Sequence, residues 1–202
     1  MIKLEAVSKS YGPIKVLENL SFGAEDGKSV CLLGRSGCGK STILKIVALI
    51  TKSDRGNVTI DGIEVKGLKD AELEGVRREK ISYSFQEPLL IPYLTAQENL
   101  TEIIGAQKEM TIDVLSQLGL SDRLTHMPSK LSVGEKKRVD IARALLKSSS
   151  VLVADEPLSN LDPDNGSKVM ELLKAYAKKG RTVVYSAVEP SDAKFADEII
   201  RL

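Results

Sequence analysis

Cysteine and histidine are scarce in this sequence, which contains two cysteines and one histidine in 202 residues. Two cysteines cannot build the disulfide framework of a small secreted domain, and the interval between Cys31 and Cys38 does not match a zinc-binding spacing. Cys31 belongs to an apolar segment and Cys38 to a glycine-rich one. We therefore expect no metal bound by cysteine, and a reducing compartment, the cytoplasm.

An excess of charge and a long apolar run are also missing. The 29 basic and 28 acidic residues leave a formal charge of +1, which indicates neither nucleic acid nor an anionic membrane surface as a partner. The longest apolar stretch, residues 43–50, is interrupted by Lys45 and is far shorter than the ~20 residues that cross a bilayer. The first five residues form no apolar signal core. We expect a cytoplasmic protein that does not itself span the membrane.

Internal repeats and long linkers are absent, and 202 residues suffice for one α/β domain. Apolar and β-branched runs predict strands over residues 2–7, 16–22, 29–34, 58–61, 81–85, 151–154, 182–186 and 199–202. Helical periodicity covers 40–50, 164–179 and much of 95–146. The prediction is a single domain over 1–202 with a parallel-sheet core (1–86 and 141–202), an antiparallel β layer near the N-terminus and an inserted helical subdomain at about 87–140.

A glycine-rich segment follows the third predicted strand and precedes the first predicted helix. Residues 34–41 fit the phosphate-loop pattern G-x-x-x-x-G-K-[ST] in full. Its glycines let backbone N–H groups converge on a β-phosphate, Lys40 reaches the β- and γ-phosphates, and Ser41 is a magnesium ligand. A glycine-rich turn with a chance lysine is the alternative, which eight matching positions disfavour. The predicted nucleotide contacts are Gly34, Arg35, Ser36, Gly37, Cys38, Gly39, Lys40, Ser41 and Thr42.

Two carboxylates follow the apolar strand predicted over residues 151–154. An acid at the end of such a strand can hold the magnesium ion of a nucleotide, and a second acid can deprotonate the attacking water. We assign Asp155 to magnesium and Glu156 to the role of general base. Alone, the two acids are typical of a solvated strand end, but together with the phosphate loop they favour hydrolysis of ATP over binding alone.

A third motif, residues 131–135, reads Leu-Ser-Val-Gly-Glu. It resembles the signature L-S-G-G-Q of the ABC ATPases and opens a predicted helix in the same way. The resemblance implies that Ser132 and Gly134 contact the γ-phosphate of a nucleotide bound by a partner subunit, where a helix N-terminus favours an anion. The alternative is a capping box, because Ser132 and Glu135 stand three residues apart; both interpretations can hold at once.

Further matches to the same family fall in the family's order along residues 2–202. The resemblance implies that Tyr11 stacks on adenine, that Gln86 contacts magnesium and the attacking water, and that Asp162, in the segment 159–162 that matches the family's D-loop, contacts the nucleotide. Within the family, residues 85–95, Arg77, Arg78 and the Asn160–Asp162 segment followed by Gly166 look like the lipoprotein-release and macrolide-export branch. The implied fold is an α/β P-loop (RecA-like) ATPase domain.

Two positions depart from the family pattern. Val133 replaces the first glycine of the signature, and a β-branched residue does not reach the conformations open to glycine. Val188 stands where the family has a histidine that contacts the γ-phosphate, which leads us to expect slow hydrolysis. The single histidine, His126, precedes the signature and cannot take that place. On an extended strand Ser186 would face the same side as Val188 and offers a partial replacement.

The resemblance implies an ATPase that uses ATP and Mg²⁺ and works in a head-to-tail dimer. Its partners would be a second ABC ATPase subunit, identical or different, and integral membrane subunits that hold it at the cytoplasmic face of the membrane. Two alternatives stay open: a soluble ABC ATPase that drives a non-transport assembly, as in iron–sulfur cluster systems, and a regulatory subunit with low turnover. A DNA-repair ATPase is excluded, because no sustained heptads separate the phosphate loop from the signature.

Overall fold

The computed structural model describes residues 1–202, which form two sheets flanked by helices. The strands are β1 (Ile2–Tyr11), β2 (Ile14–Ala24), β3 (Ser29–Leu33), β4 (Arg55–Ile60), β5 (Ile63–Glu64), β6 (Ile81–Ser84), β7 (Val151–Ala154), β8 (Thr182–Ala187) and β9 (Glu198–Arg201). The helices are α1 (Lys40–Val47), α2 (Asp70–Lys80), α3 (Glu98–Ile104), α4 (Lys108–Gln117), α5 (Val133–Leu146), α6 (Pro163–Lys178) and α7 (Pro190–Ala193). Short 3₁₀ turns at Ser121–Arg123 and Pro128–Lys130 complete the chain.

The first sheet is antiparallel and has the strand order β2-β1-β4-β5. Ile2 and Leu4 of β1 are buried while Lys3 and Glu5 are exposed, so one face of this sheet packs on the core and the other meets solvent. The predicted antiparallel layer near the N-terminus is thus present. Its first two strands are longer than expected because β1 continues to Tyr11, where a tight turn leads into β2.

The second sheet is parallel, with the order β6-β7-β8-β3-β9. Every residue of β3, β7 and β8 is buried, which explains why these strands read as continuous apolar runs rather than alternating ones. The carboxyl ends of β3, β7 and β8 lie side by side. Ligands bind at this edge in open α/β sheets, and each of the three strands leads here into one of the segments singled out in the sequence.

Helices α3 to α5 lie in the predicted helical subdomain, and specific residues cap several of their ends. Thr95 and Glu98 bond reciprocally ahead of α3, since each backbone N–H donates to the other's side chain, at 2.8 and 3.2 Å. Gly119 follows α4 in the left-handed region, at φ 70°, as expected after a helix. Helix α5 runs without a break past residue 140, where the sequence suggested the subdomain would end, so its second half belongs to the parallel-sheet core.

Two apolar clusters form the interior. One cluster of 25 residues joins the parallel sheet to α5, α6 and the helical subdomain, and another of 18 residues lies between the two sheets around α1. Helix α2 is not among the helices predicted from the sequence, because Leu73 is its one buried residue and gives little periodicity. None of the helices has the length and apolar character needed to cross a membrane.

Candidate nucleotide site

The phosphate loop joins β3 to α1 and depends on glycine at two points. Gly37 and Gly39 have φ values of +81° and +101°, in the region that favours glycine. A Cβ on Gly39 would stand 3.0 Å from Leu17 and 3.1 Å from Val16. These contacts seat the loop against β2, and the following turn of α1 directs its unpaired backbone N–H groups toward the loop.

Lys40 lies along the loop rather than out in solvent. It is only 4% exposed, and its ammonium group donates to the carbonyl oxygens of Gly34 at 2.8 Å and Arg35 at 3.0 Å. No acidic residue occupies the first turn of α1. The loop therefore combines a positive side chain, converging N–H groups and a positive helix end without a carboxylate to oppose an anion.

Asp155 and Glu156 follow β7 at the same edge of the sheet. Only β8 separates β7 from β3, so two strand spacings, about 10 Å, lie between Asp155 and the phosphate loop. Asp155 is 3% exposed, and its Oδ1 accepts a hydrogen bond from Ser186 at 2.6 Å. Its backbone N–H donates to the Ser84 carbonyl at 2.9 Å. The carboxylate is thus held rigidly, with Oδ2 free of hydrogen bonds.

Glu156 adopts a left-handed backbone conformation, at φ 44°. Residues other than glycine are uncommon in this region, and such strain concentrates at functional sites. Its backbone N–H donates to Ser186 Oγ at 2.8 Å, which helps to hold the conformation. The side chain meets Gln86, whose Nε2 donates to Glu156 Oε2 at 3.3 Å. The structure therefore brings together the two residues predicted to act on the attacking water.

The signature segment caps α5. Ser132 Oγ accepts from the N–H of Glu135 at 3.2 Å, and Glu135 Oε2 accepts from the N–H of Ser132 at 2.8 Å, so the capping box is present. The pKa of Glu135 lies below its usual value, because the hydrogen bond from the N–H of Ser132 and the nearby Arg123 stabilise the carboxylate and outweigh the opposing effect of burial. Ser132 is exposed, and none of its hydrogen bonds reaches the phosphate loop of its own chain. Its neighbour Val133 is 57% exposed.

Gly134 is required by packing against the segment after Glu156. A Cβ at Gly134 would stand 2.7 Å from the carbonyl oxygen of Asn160 and 3.2 Å from the Leu161 side chain. Asp162, assigned to the nucleotide from the sequence, caps α6, where Oδ1 accepts from the N–H of Asn165 at 2.9 Å. That bond lowers the pKa of Asp162. The signature and this loop thus form one surface beside the sheet edge that carries Asp155 and Glu156.

Tyr11 lies at the tip of the β1–β2 hairpin and is 47% exposed. Lys9 Nζ stands 5.5 Å from the centroid of its ring. The strand that follows, β2, carries Val16 and Leu17, the residues that flank Gly39. The hairpin tip is thereby tied to the phosphate loop, and the ring has an exposed face on which a flat base can stack.

Ser186 and Val188 do not share a role. Ser186 is 1% exposed, and its hydroxyl is engaged by Asp155 and Glu156, so the expectation that it replaces a histidine at the γ-phosphate is wrong. Strand β8 ends at Ala187, and Val188 beyond it is 39% exposed. His126 lies in the helical subdomain, where its carbonyl accepts from the N–H of Ala96 at 2.8 Å. An apolar side chain therefore occupies the position after β8.

Two buried charged residues of α5, Lys137 and Asp140, were missed in the sequence. Lys137 donates to the carbonyl oxygens of Phe85 and Asp155, at 2.7 and 2.8 Å, and burial lowers its pKa to about 8. Asp140 accepts from Ser84 and from the backbone of Phe85, and burial raises its pKa despite Arg143. The one sequence signal for them is their spacing: Lys137 and Asp140 stand three residues apart, on the same face of the helix as buried apolar residues of α5.

A groove of about 660 Å³ lies on the other side of the Gln86 segment, between α2, α3 and α5. Apolar residues, including Ile50, Phe85 and Ile103, form part of its lining. Four basic residues also line it, but only one acidic residue, Glu74, does so; the basic ones are Arg77, Arg78, Arg143 and Lys147. Arg78 is exposed and makes no ion pair. The groove is therefore apolar with a positive rim.

Comparison with known proteins gives consistent matches. The family described as ABC transporter matches residues 17–159. The chain is 36% identical over 210 residues to the lipoprotein-releasing system ATP-binding protein LolD of Bacteroides thetaiotaomicron, covering 100% of this chain and 96% of that protein. It is 34% identical over 213 residues to the macrolide export ATP-binding/permease protein MacB of Photorhabdus laumondii, covering 100% of this chain and 33% of that protein.

Solved structures match along the whole chain. A dimeric post-hydrolysis state of the ATP-binding cassette MJ0796 bound to ADP and Pi has a TM-score of 0.92 to this structure at 37% sequence identity, and covers 100% of this chain and 94% of that one. The related sequence, from Methanocaldococcus jannaschii, is 38% identical over 218 residues. A second dimeric structure of the same cassette has a TM-score of 0.93.

Proposed function

This chain belongs to the ABC transporter family as an ATP-binding subunit with ATPase activity, and from that premise we propose that it works as half of a head-to-tail dimer enclosing two Mg-ATP molecules. The observation that carries the proposal is the placement of Ser132. It is exposed at the start of α5 and bonds only within its own helix. In the dimer it faces the γ-phosphate held by the partner's phosphate loop, and the dimeric relatives support this arrangement.

The nucleotide is bound by the phosphate loop of one subunit. Lys40 exchanges its two carbonyl partners for the β- and γ-phosphates, and the N–H groups of the loop and of α1 donate to the β-phosphate. Tyr11 stacks on the base. Because stacking tolerates any flat ring, we expect only a modest preference for ATP over GTP.

The residues present fit a magnesium ion. Ser41, Gln86 and Asp155 offer a hydroxyl, an amide oxygen and a carboxylate, the oxygen ligands that Mg²⁺ prefers, and Asp155 Oδ2 accepts no hydrogen bond from the protein. When bound, the ion neutralises charge on the β- and γ-phosphates. The protein's contribution is to hold these three groups at one edge of the sheet.

Glu156 takes the proton from the attacking water. The water oxygen bonds to the γ-phosphorus, the bond to the β-γ bridging oxygen breaks, and ADP and phosphate are formed. The amide of Gln86 orients the Glu156 carboxylate. Because Val188 offers no hydrogen bond to the γ-phosphate, this step is slow in a dimer formed by two copies of this subunit.

Membrane subunits dock in the groove between α2, α3 and α5. We assign to it a short amphipathic helix that carries carboxylates, because the lining is apolar and its charged rim has four basic residues against one acidic residue. Such docking places the chain on the cytoplasmic face of the membrane. Since Phe85 lines the groove and immediately precedes Gln86, the docked helix lies next to the segment that carries Gln86.

Binding to native membranes of the source cell tests this docking. Wild-type protein should sediment with the membranes, and Arg78→Glu should reduce the bound fraction at least tenfold because it repels an acidic helix. Lys178→Glu is the matched control, since Lys178 is exposed on α6 away from the groove. Equal sedimentation of Arg78→Glu and wild type would contradict the assigned surface. Recovery of only a soluble partner would favour the non-transport alternative.

A further inference from the structure

Two charged side chains of α5, Lys137 and Asp140, are buried against the chain segments that carry Gln86 and Asp155. Lys137 is 1% and Asp140 0% exposed. Lys137 Nζ donates to the carbonyl oxygens of Phe85 at 2.7 Å, Asp155 at 2.8 Å and Gln86 at 3.3 Å. A lysine ammonium has three donors, and all three are used on the backbone of the two segments that carry Gln86 and Glu156.

Asp140 holds the same segment at its beginning, at Ser84 and Phe85. Its Oδ2 accepts from the Ser84 hydroxyl at 2.8 Å and from the N–H of Phe85 at 3.1 Å, and its Oδ1 pairs with Arg143 at 2.5 Å. The backbone on both sides of Phe85 is therefore fixed by charged groups of α5. Arg143 adds a bond to the carbonyl of Leu89 at 2.8 Å, farther along the same segment.

Packing alone does not explain this arrangement. Burying a charge is costly unless it is paired and fully hydrogen-bonded, and apolar residues would fill the space at least as well. Charged groups differ from apolar ones because their hydrogen bonds are directional. Each bond to the backbone holds one N–H or carbonyl group just beyond the end of β6 or β7 in a fixed position. The bonds converge on Phe85 and its neighbours Gln86 and Asp155, whereas none of them touches the phosphate loop.

We propose that Lys137 and Asp140 are positioning residues for hydrolysis: together they fix the backbone of Phe85, and Lys137 also fixes Gln86 and Asp155, so that the Gln86 amide meets Glu156. The inference rests on the proposed role of Glu156 as base. Binding of ADP in the absence of magnesium depends on the phosphate loop, which none of these hydrogen bonds touches. Loss of either residue therefore lowers kcat and leaves the affinity for magnesium-free ADP intact.

The test compares Lys137→Met with Lys178→Met, which removes one exposed charge from α6. For Lys137→Met, kcat should fall at least tenfold, which corresponds to 1.36 kcal/mol or more in the activation free energy, while the Kd for ADP, measured without magnesium, stays within twofold. Lys178→Met should match the wild type in both. A kcat within twofold of wild type, or equal losses in kcat and ADP affinity, would overturn the proposal.

Graded variants keep the test decisive if Lys137→Met does not fold. Lys137→Gln retains two N–H donors, and Asp140→Asn retains an acceptor oxygen while losing charge. Both should fold, bind ADP like the wild type and have kcat between wild type and Glu156→Gln; a wild-type kcat in both would refute the proposal. A wrong assignment of Glu156 as base can be distinguished from failure of this inference. In that case Glu156→Gln would hydrolyse ATP at the wild-type rate, whatever the Lys137 variants do.

Discussion

The hydroxyl of Ser186 donates to Asp155, with 2.6 Å between Oγ and Oδ1, and also accepts from the backbone N–H of Glu156 at 2.8 Å. One side chain on β8 thus orients both acidic residues at the end of β7. It turns Asp155 so that Oδ2 is left for a ligand, and it supports the left-handed conformation of Glu156.

Replacing Ser186 with alanine should therefore impair hydrolysis more than binding. The change removes a hydrogen bond to a charged group, worth about 1.5–3 kcal/mol, and leaves the N–H of Glu156 without its acceptor. We expect kcat to fall about tenfold or more and the Mg²⁺ concentration for half-maximal activity to rise, measured by phosphate release. Ser186→Thr keeps the hydroxyl and is the matched control. Unchanged kinetics in Ser186→Ala would show that the bond has no functional effect.

Glu156→Gln should separate binding from chemistry. The amide is nearly isosteric and leaves the phosphate loop untouched, but it cannot take a proton from water. We expect turnover to fall at least a hundredfold while ATP is still bound, so that an ATP-bound dimer accumulates in light-scattering measurements. Lys40→Ala should behave in the opposite way, losing ATP binding and the dimer together. Normal turnover in Glu156→Gln would remove Glu156 from the role of base.

Val188→His should accelerate hydrolysis. A histidine beyond β8 would supply a donor to the γ-phosphate, and such donors contribute about 2.7–4 kcal/mol in other enzymes. We expect kcat at saturating Mg-ATP to rise about tenfold or more. Val188→Leu, which changes shape without adding a donor, is the control. If the wild-type rate is already that of the histidine variant, the apolar residue does not limit hydrolysis.

Much of the fold was predictable because its signals are local. The apolar runs of β3, β7 and β8 and the glycine-rich loop between β3 and α1 could be read directly, and the α/β P-loop class and the membership of the ABC family are confirmed. Helix α2 was not predicted because only Leu73 is buried. Where a helix has one buried residue, periodicity carries little information.

Sequence motifs suggest which residues belong to the candidate site, but they do not predict the hydrogen bonds that connect them. Motif spacing identified Lys40, Asp155 and Glu156, whereas the bond between Ser186 and Asp155 joins two strands that are neighbours only in the folded sheet. The same holds for Lys137, whose partners are backbone carbonyls of other segments. Strand alternation suggested that Ser186 faces a nucleotide, but β8 ends at Ala187, so Ser186 stays in the sheet and bonds to its neighbour.

The central claim is that each active site combines Lys40 of one subunit with Ser132 of the other. The direct measurement is ATPase activity as a function of protein concentration for the wild type, Lys40→Ala, Ser132→Arg and an equimolar mixture of the two variants. Neither variant alone can assemble an intact site, whereas a mixed dimer has one, formed by Lys40 of the Ser132→Arg subunit and Ser132 of the Lys40→Ala subunit. We predict almost no activity for either variant, partial activity for the mixture, and a rate per molecule that rises with concentration. Concentration-independent activity in the wild type, with none restored by mixing, would contradict the account.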